Sequence, residues 1–149
     1  MMQIVNTIFD VLVLALMAVG ALVDIKEKII PDWINGAIFV IGMTAGVVLD
    51  TVAWPDRIFG MLVVATFMTL VNLIIKDAFG GGDIKLLMAT GMYYGLKIVL
   101  YGAIYGIILS GIYGIILLTS KKKNLKDRFA LGPFLVVGII FTWATEIFV

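Results

Sequence analysis

Six apolar stretches separated by breaks of only a few residues occupy almost the whole chain, and this alternation limits what it can fold into. They run over Ile4–Val23, Asp32–Leu49, Ile58–Ile75, Asp83–Leu96, Ile98–Thr119 and Phe129–Phe148, the fourth being the shortest. A membrane-crossing helix needs about 20 mostly apolar residues, so these lengths predict an all-α, polytopic membrane protein of about six helices. Composition agrees: 62% of the 149 residues are hydrophobic and only 14% charged, with a mean hydropathy of +1.15. An ordinary soluble domain is far more polar. The connections leave no room for a separate soluble domain, so residues 1–149 read as one transmembrane domain. The start carries no Lys or Arg, which suits a retained helix better than a secretory signal with its basic leading region.

The residue inventory narrows the chemistry. There is no Cys and no His, which excludes thiol nucleophiles, a Ser–His triad and the usual zinc ligand sets. The two serines, Ser110 and Ser120, lack the setting of a nucleophile elbow. No metal and no cofactor is expected, and any catalysis falls to carboxylates. No nucleic-acid partner is expected either, the lipid bilayer is the evident surroundings, and oligomeric state is left open.

The carboxylates of interest flank two breaks. Gly80-Gly81-Gly82 delivers Asp83 to the start of the fourth span, and Asp24 ends the first. Three consecutive glycines predict a shaped, open turn, in which Asp83 has the simpler reading of a helix N-cap. Pro31 ends the short charged connection after Asp24, and Asp32 is expected to cap the second span. Asp10 lies within the first span, where an acid costs about 2.5–3.5 kcal/mol at the bilayer centre; it is expected to face protein in a structural role. In the fifth span Gly102 and Gly106 form a Gly-x-x-x-Gly pair that predicts close helix packing.

Charge sets the orientation. Nine basic residues, Lys26, Lys28, Lys76, Lys85, Lys121, Lys122, Lys123, Lys126 and Arg128, follow the odd-numbered spans, against Arg57 and Lys97 on the other side. The excess marks the cytoplasmic side, so both termini are expected outside and Asp24 and Asp83 share the cytoplasmic face. The basic run 121–128 is read as a topology and lipid-binding signal.

Two acids on one face form a candidate pair if the first and fourth spans pack together. Adjacent carboxylates do not both ionise easily and titrate as a unit. One ionised and one protonated acid can activate a water and protonate the amide's carbonyl or leaving amine, which is peptide hydrolysis without a covalent intermediate. Gly80, Gly81 and Gly82 would offer bare backbone against which an extended substrate lies. Lys85 is read as a surface marker in preference to a partner of Asp83.

Those residues carry a resemblance. Gly80–Asp83 matches the Gly-x-Gly-Asp motif of polytopic membrane aspartyl peptidases, and its continuation Ile84-Lys85-Leu86-Leu87 is similar to that of type IV prepilin peptidases. Asp24 followed by Ile30-Pro31-Asp32-Trp33-Ile34-Asn35 resembles that family's first-aspartate segment. Ala130-Leu131-Gly132-Pro133-Phe134-Leu135 resembles a late Pro-Phe-Gly-Pro-Phe-Leu element, with Ala130 and Leu131 departing from it. The resemblance implies catalytic roles for Asp24 and Asp83 and removal of the basic leader from prepilin or pseudopilin precursors at the cytoplasmic membrane face. Longer bacterial members carry a cytoplasmic insertion, often with four cysteines, that is tied to N-methylation. Here that connection is a few residues long, so peptidase activity is expected and a methylation reading is not supported. Glu27, Asp32 and Asp77 are expected to attract the basic leader.

Two other classes remain open: a small proton- or ion-coupled transporter, since acids in membrane spans often mark ion paths, and a non-catalytic assembly subunit whose acids only cap helices. Clustering of the acids at one face disfavours the first.

Overall fold

The computed structural model describes residues 2–49, 51–76, 78–120 and 130–148. Asp50, Asp77, the basic run 121–128 and Phe129 lie outside the described residues. Six helices follow one another: α1 (Met2–Glu27), α2 (Asp32–Val48), α3 (Trp54–Ile74), α4 (Gly81–Tyr94), α5 (Leu96–Thr119) and α6 (Gly132–Phe148). Among the described residues α1, α3 and α5 are long and apolar enough to cross a membrane, while α2 and α6 are shorter apolar helices. The expectation of an all-α polytopic protein holds.

α4 is the exception in length and position. Its 14 residues span about 21 Å, less than the hydrocarbon core of a bilayer. It packs against α2, α3, α5 and α6, and it buries Leu86, Leu87, Ala89, Thr90, Met92, Tyr93 and Tyr94. Its apolar residues therefore meet protein on all sides, whereas long helices such as α5 leave much of their surface exposed.

Close crossings depend on glycine. A Cβ at Gly102 or Gly106 would come within 2.8 Å of α6 backbone at Ile139 and Leu135. The expected role of the Gly-x-x-x-Gly pair in helix packing is thus realised, with α6 as the partner. Gly60 of α3 and Gly91 of α4 approach backbone to backbone in the same manner.

At its C-terminus α4 is fastened by Arg57. This guanidinium, 1% exposed, donates from Nη1 to Met92 O (2.9 Å), Tyr93 O (3.0 Å) and Gly42 O (3.3 Å), and from Nε to Val52 O (3.0 Å). Orphan carbonyls at a helix end attract cations. Arg57 is thus a buried staple joining α2, α3 and α4, a role its reading as a topological charge did not contain. Gly95, with φ +82°, then turns the chain directly into α5, a conformation that side chains disfavour.

Candidate active site

The expected open glycine turn is mostly helix. Gly81 and Gly82 form the first turn of α4 and Gly80 precedes it as N-cap, which places Asp83 at the third helical position and not at the cap. There its Oδ2 lies against Gly80 while its own N–H donates to Gly80 O at 3.1 Å. This is the position from which the acid of a capping box reaches back toward the cap residue, here a glycine with no hydroxyl to offer. Asp83 is 7% exposed, and its Oδ1 has no hydrogen-bond partner.

Asp24 lies in the last turn of α1, and the helix stops just beyond it because Lys28 adopts a left-handed conformation (φ 57°) while donating its N–H to Asp24 O at 2.8 Å. The carboxyl group turns inward, to 5% exposure, and its Oδ2 accepts the Gly132 N–H at 2.9 Å. Asp24 and Asp83 interact electrostatically across this end of the bundle. Among the described residues no three acids converge, so the pair stands alone. The expected packing of the first span on the fourth is a light contact that includes the Tyr93–Asp10 hydrogen bond. α1 leans on α6 and α2, and those two helices carry the acids toward each other.

Ile30 is the wedge between them. A Cβ at Gly82 would meet Ile30 Cβ at 3.2 Å and its backbone N at 3.3 Å, and one at Gly132 would meet Ile30 Cδ1 at 3.0 Å. A Cβ at Gly80 would meet Asp83 Oδ2 at 2.7 Å, whereas one at Gly81 meets nothing. The three glycines thus have separate surroundings: Gly80 faces the acid, Gly82 faces Ile30, and Gly81 alone faces open space.

Asn35 belongs here too. From the first turns of α2 its Nδ2 donates to Gly82 O at 3.4 Å, while its Oδ1 is buried without a partner. Asn35 Oδ1 and Asp83 Oδ1 are thus both buried acceptors without a protein donor. Asn35 and Gly132 both fall in segments singled out by sequence. Their placement against the acids had no sequence signal, because it depends on how α2 and α6 dock.

Other charges resolve differently from expectation. Asp32 is the first residue of α2, with Pro31 as N-cap, and both its oxygens take Lys85 Nζ at 2.8 Å. Lys85 thus pairs with Asp32, because residues 32 and 85 each open a helix at the same end. Asp10 accepts from Tyr93 Oη at 2.8 Å, which satisfies it inside the protein as expected. Lys97 and Glu146 pair at the opposite end.

Three curated relatives are each named prepilin leader peptidase/N-methyltransferase. The one from Xanthomonas campestris pv. campestris is 25% identical over 134 residues, covering 84% of this chain and 46% of its own length. That from Pectobacterium carotovorum subsp. carotovorum is 26% identical, covering 87% and 48%; that from Bacillus subtilis is 21% identical, covering 89% and 54%. The chain spans about half the length of these relatives. No solved structure gives a significant match. Residues 11–115, which hold both acids and the whole glycine turn, match the model of the type IV leader peptidase family, to which this chain belongs.

Proposed function

We propose that the protein is a membrane aspartyl endopeptidase that cleaves the basic leader from type IV prepilin-like precursors, with Asp24 and Asp83 as its catalytic acids. The observation that carries this reading is the burial of two acids, distant in sequence and interacting electrostatically, at one end of the helix bundle. Two such carboxylates share a proton: the ionised one takes a proton from the attacking water as the other protonates the amide. The tetrahedral intermediate then collapses with cleavage of the C–N bond, and the proton taken from water leaves with the amine. The prepilin leader peptidase names of the relatives support the substrate class.

The substrate enters as an extended segment, since a helical peptide bond is shielded. Gly81 is the place where it lies, because neither Ile30 nor Asp83 occupies that side. Asn35 Oδ1 supplies an acceptor for a substrate N–H. The acid end of the described bundle carries Lys26, Lys28, Lys76 and Lys85, and the far end Arg57 and Lys97, so we assign the site to the cytoplasmic membrane face and both termini to the outside. Glu27 and Asp32 are exposed at the site's rim and attract the basic leader. Methyl transfer is outside the proposal: α1 and α2 are joined by only a short connection, and the chain has no cysteine.

Purified protein in detergent, mixed with a prepilin precursor, should yield a shortened product. Asp24→Asn and Asp83→Asn should each abolish it while inserting into membranes normally. Normal cleavage by either variant removes that residue from the mechanism.

A further inference from the structure

The late element at residues 130–135 has no task in the chemistry above, yet it begins α6 at the site. Gly132 is buried there, and its N–H donates to Asp24 Oδ2 at 2.9 Å. A side chain at this position has no room: its Cβ would lie 2.7 Å from Asp24 Oδ2 and 3.0 Å from Ile30 Cδ1. Asp83 has a related setting, since a Cβ at Gly80 would also lie 2.7 Å from its Oδ2. At each acid a glycine's missing side chain thus makes the space the carboxylate fills, and at Asp24 the glycine amide holds it as well.

We propose that Gly132 is the positioning residue for Asp24, a role that rests on the two-acid reading of the site and assigns a function to the late element. Oδ2 is committed to the amide, so the carboxylate cannot rotate freely and its other oxygen is held toward water and substrate. The positive end of the α6 dipole favours the ionised carboxylate at this point. Pro133, beside Gly132 in the first turn, competes for none of these bonds because it has no N–H. The segment lies beyond residues 11–115, so the family match does not bear on it.

The test is cleavage kinetics of the full chain in detergent with a prepilin precursor, comparing the native protein, Gly132→Ala, Gly132→Ala/Ile30→Val, Gly111→Ala and Asp24→Asn. A catalytic group displaced by about 1 Å loses on the order of 10²-fold in rate, so Gly132→Ala should lower kcat by about that factor with KM within about twofold. Ile30→Val removes the Cδ1 atom against the new methyl but leaves the carboxylate clash, so the double variant should remain as slow. Recovery of kcat in the double variant would show a packing effect and overturn the proposal, as would native kcat in Gly132→Ala. Should Gly132→Ala fail to fold, the double variant decides by the same criterion. Gly111→Ala, whose Cβ meets nothing, should match the native protein. An inactive Asp24→Asn beside a fully active Gly132→Ala refutes only the seat, whereas an active Asp24→Asn refutes the two-acid reading itself.

Discussion

The two ends of α4 are built to opposite rules. At its C-terminus Arg57 gives hydrogen bonds to the last carbonyls and to α2, and the corner at Gly95 leads at once into α5. At its N-terminus Asp83 Oδ1 and the neighbouring Asn35 Oδ1 are buried with nothing donating to them. Tyr94 Oη in the last turn also lacks a protein partner, so the ends differ chiefly in that Arg57 clamps the carbonyls of the first and stabilises it, whereas the second presents a carboxylate. The contrast separates a scaffold from a site along about 21 Å of helix.

Substitutions at the two ends test that contrast. The largest effect belongs to the site: Asp83→Asn should lower cleavage by at least about 10³-fold with thermal stability unchanged or raised, measured by product formation and by melting in detergent. A stability loss comparable to the activity loss would erase the distinction. Next, Arg57→Leu should cost about 2–4 kcal/mol by stranding buried carbonyls, seen as a lowered melting temperature, while kcat per folded molecule stays within about twofold. A smaller split separates the glycines: Gly82→Val, which drives a side chain into Ile30, should lower both stability and kcat, whereas Gly81→Val should chiefly raise KM. Equal behaviour of the two would remove Gly81 as the substrate's resting place. The smallest effect is expected from Lys85→Ala, which breaks an exposed pair with Asp32 worth less than about 1 kcal/mol. Across pH the native protein should give a bell-shaped rate profile if the two acids act as proposed: at low pH both are protonated and no base remains, and at high pH both are ionised and no acid remains.

Several features could be read before any coordinates. Apolar span length located the helices, since a continuous hydrophobic run of that length has few other outcomes. Asp24 and Asp83 stood out because of their neighbours, three glycines before Asp83 and the Ile30-Pro31-Asp32 segment after Asp24. Local rules failed where neighbours decided: Asp32 pairs with Lys85 in place of capping, Asp83 sits two residues inside its helix, and two of the three glycines expected to be open, Gly80 and Gly82, are filled by the acid itself and by Ile30. Arg57 looked like a surface marker because nothing in its own segment reveals the carbonyls of α2 and α4 that surround it.

The sequence by itself determined a helical membrane protein and left carboxylates as the reactive groups we propose, because hydropathy and residue inventory act through local chemistry that needs no partner. Tertiary structure alone decided that α6 supplies the amide under Asp24, that Ile30 divides the two acids' glycines, and that Asn35 turns an unpartnered oxygen inward. Each of these depends on the docking of helices far apart in the chain, where one missing Cβ determines whether a carboxylate fits.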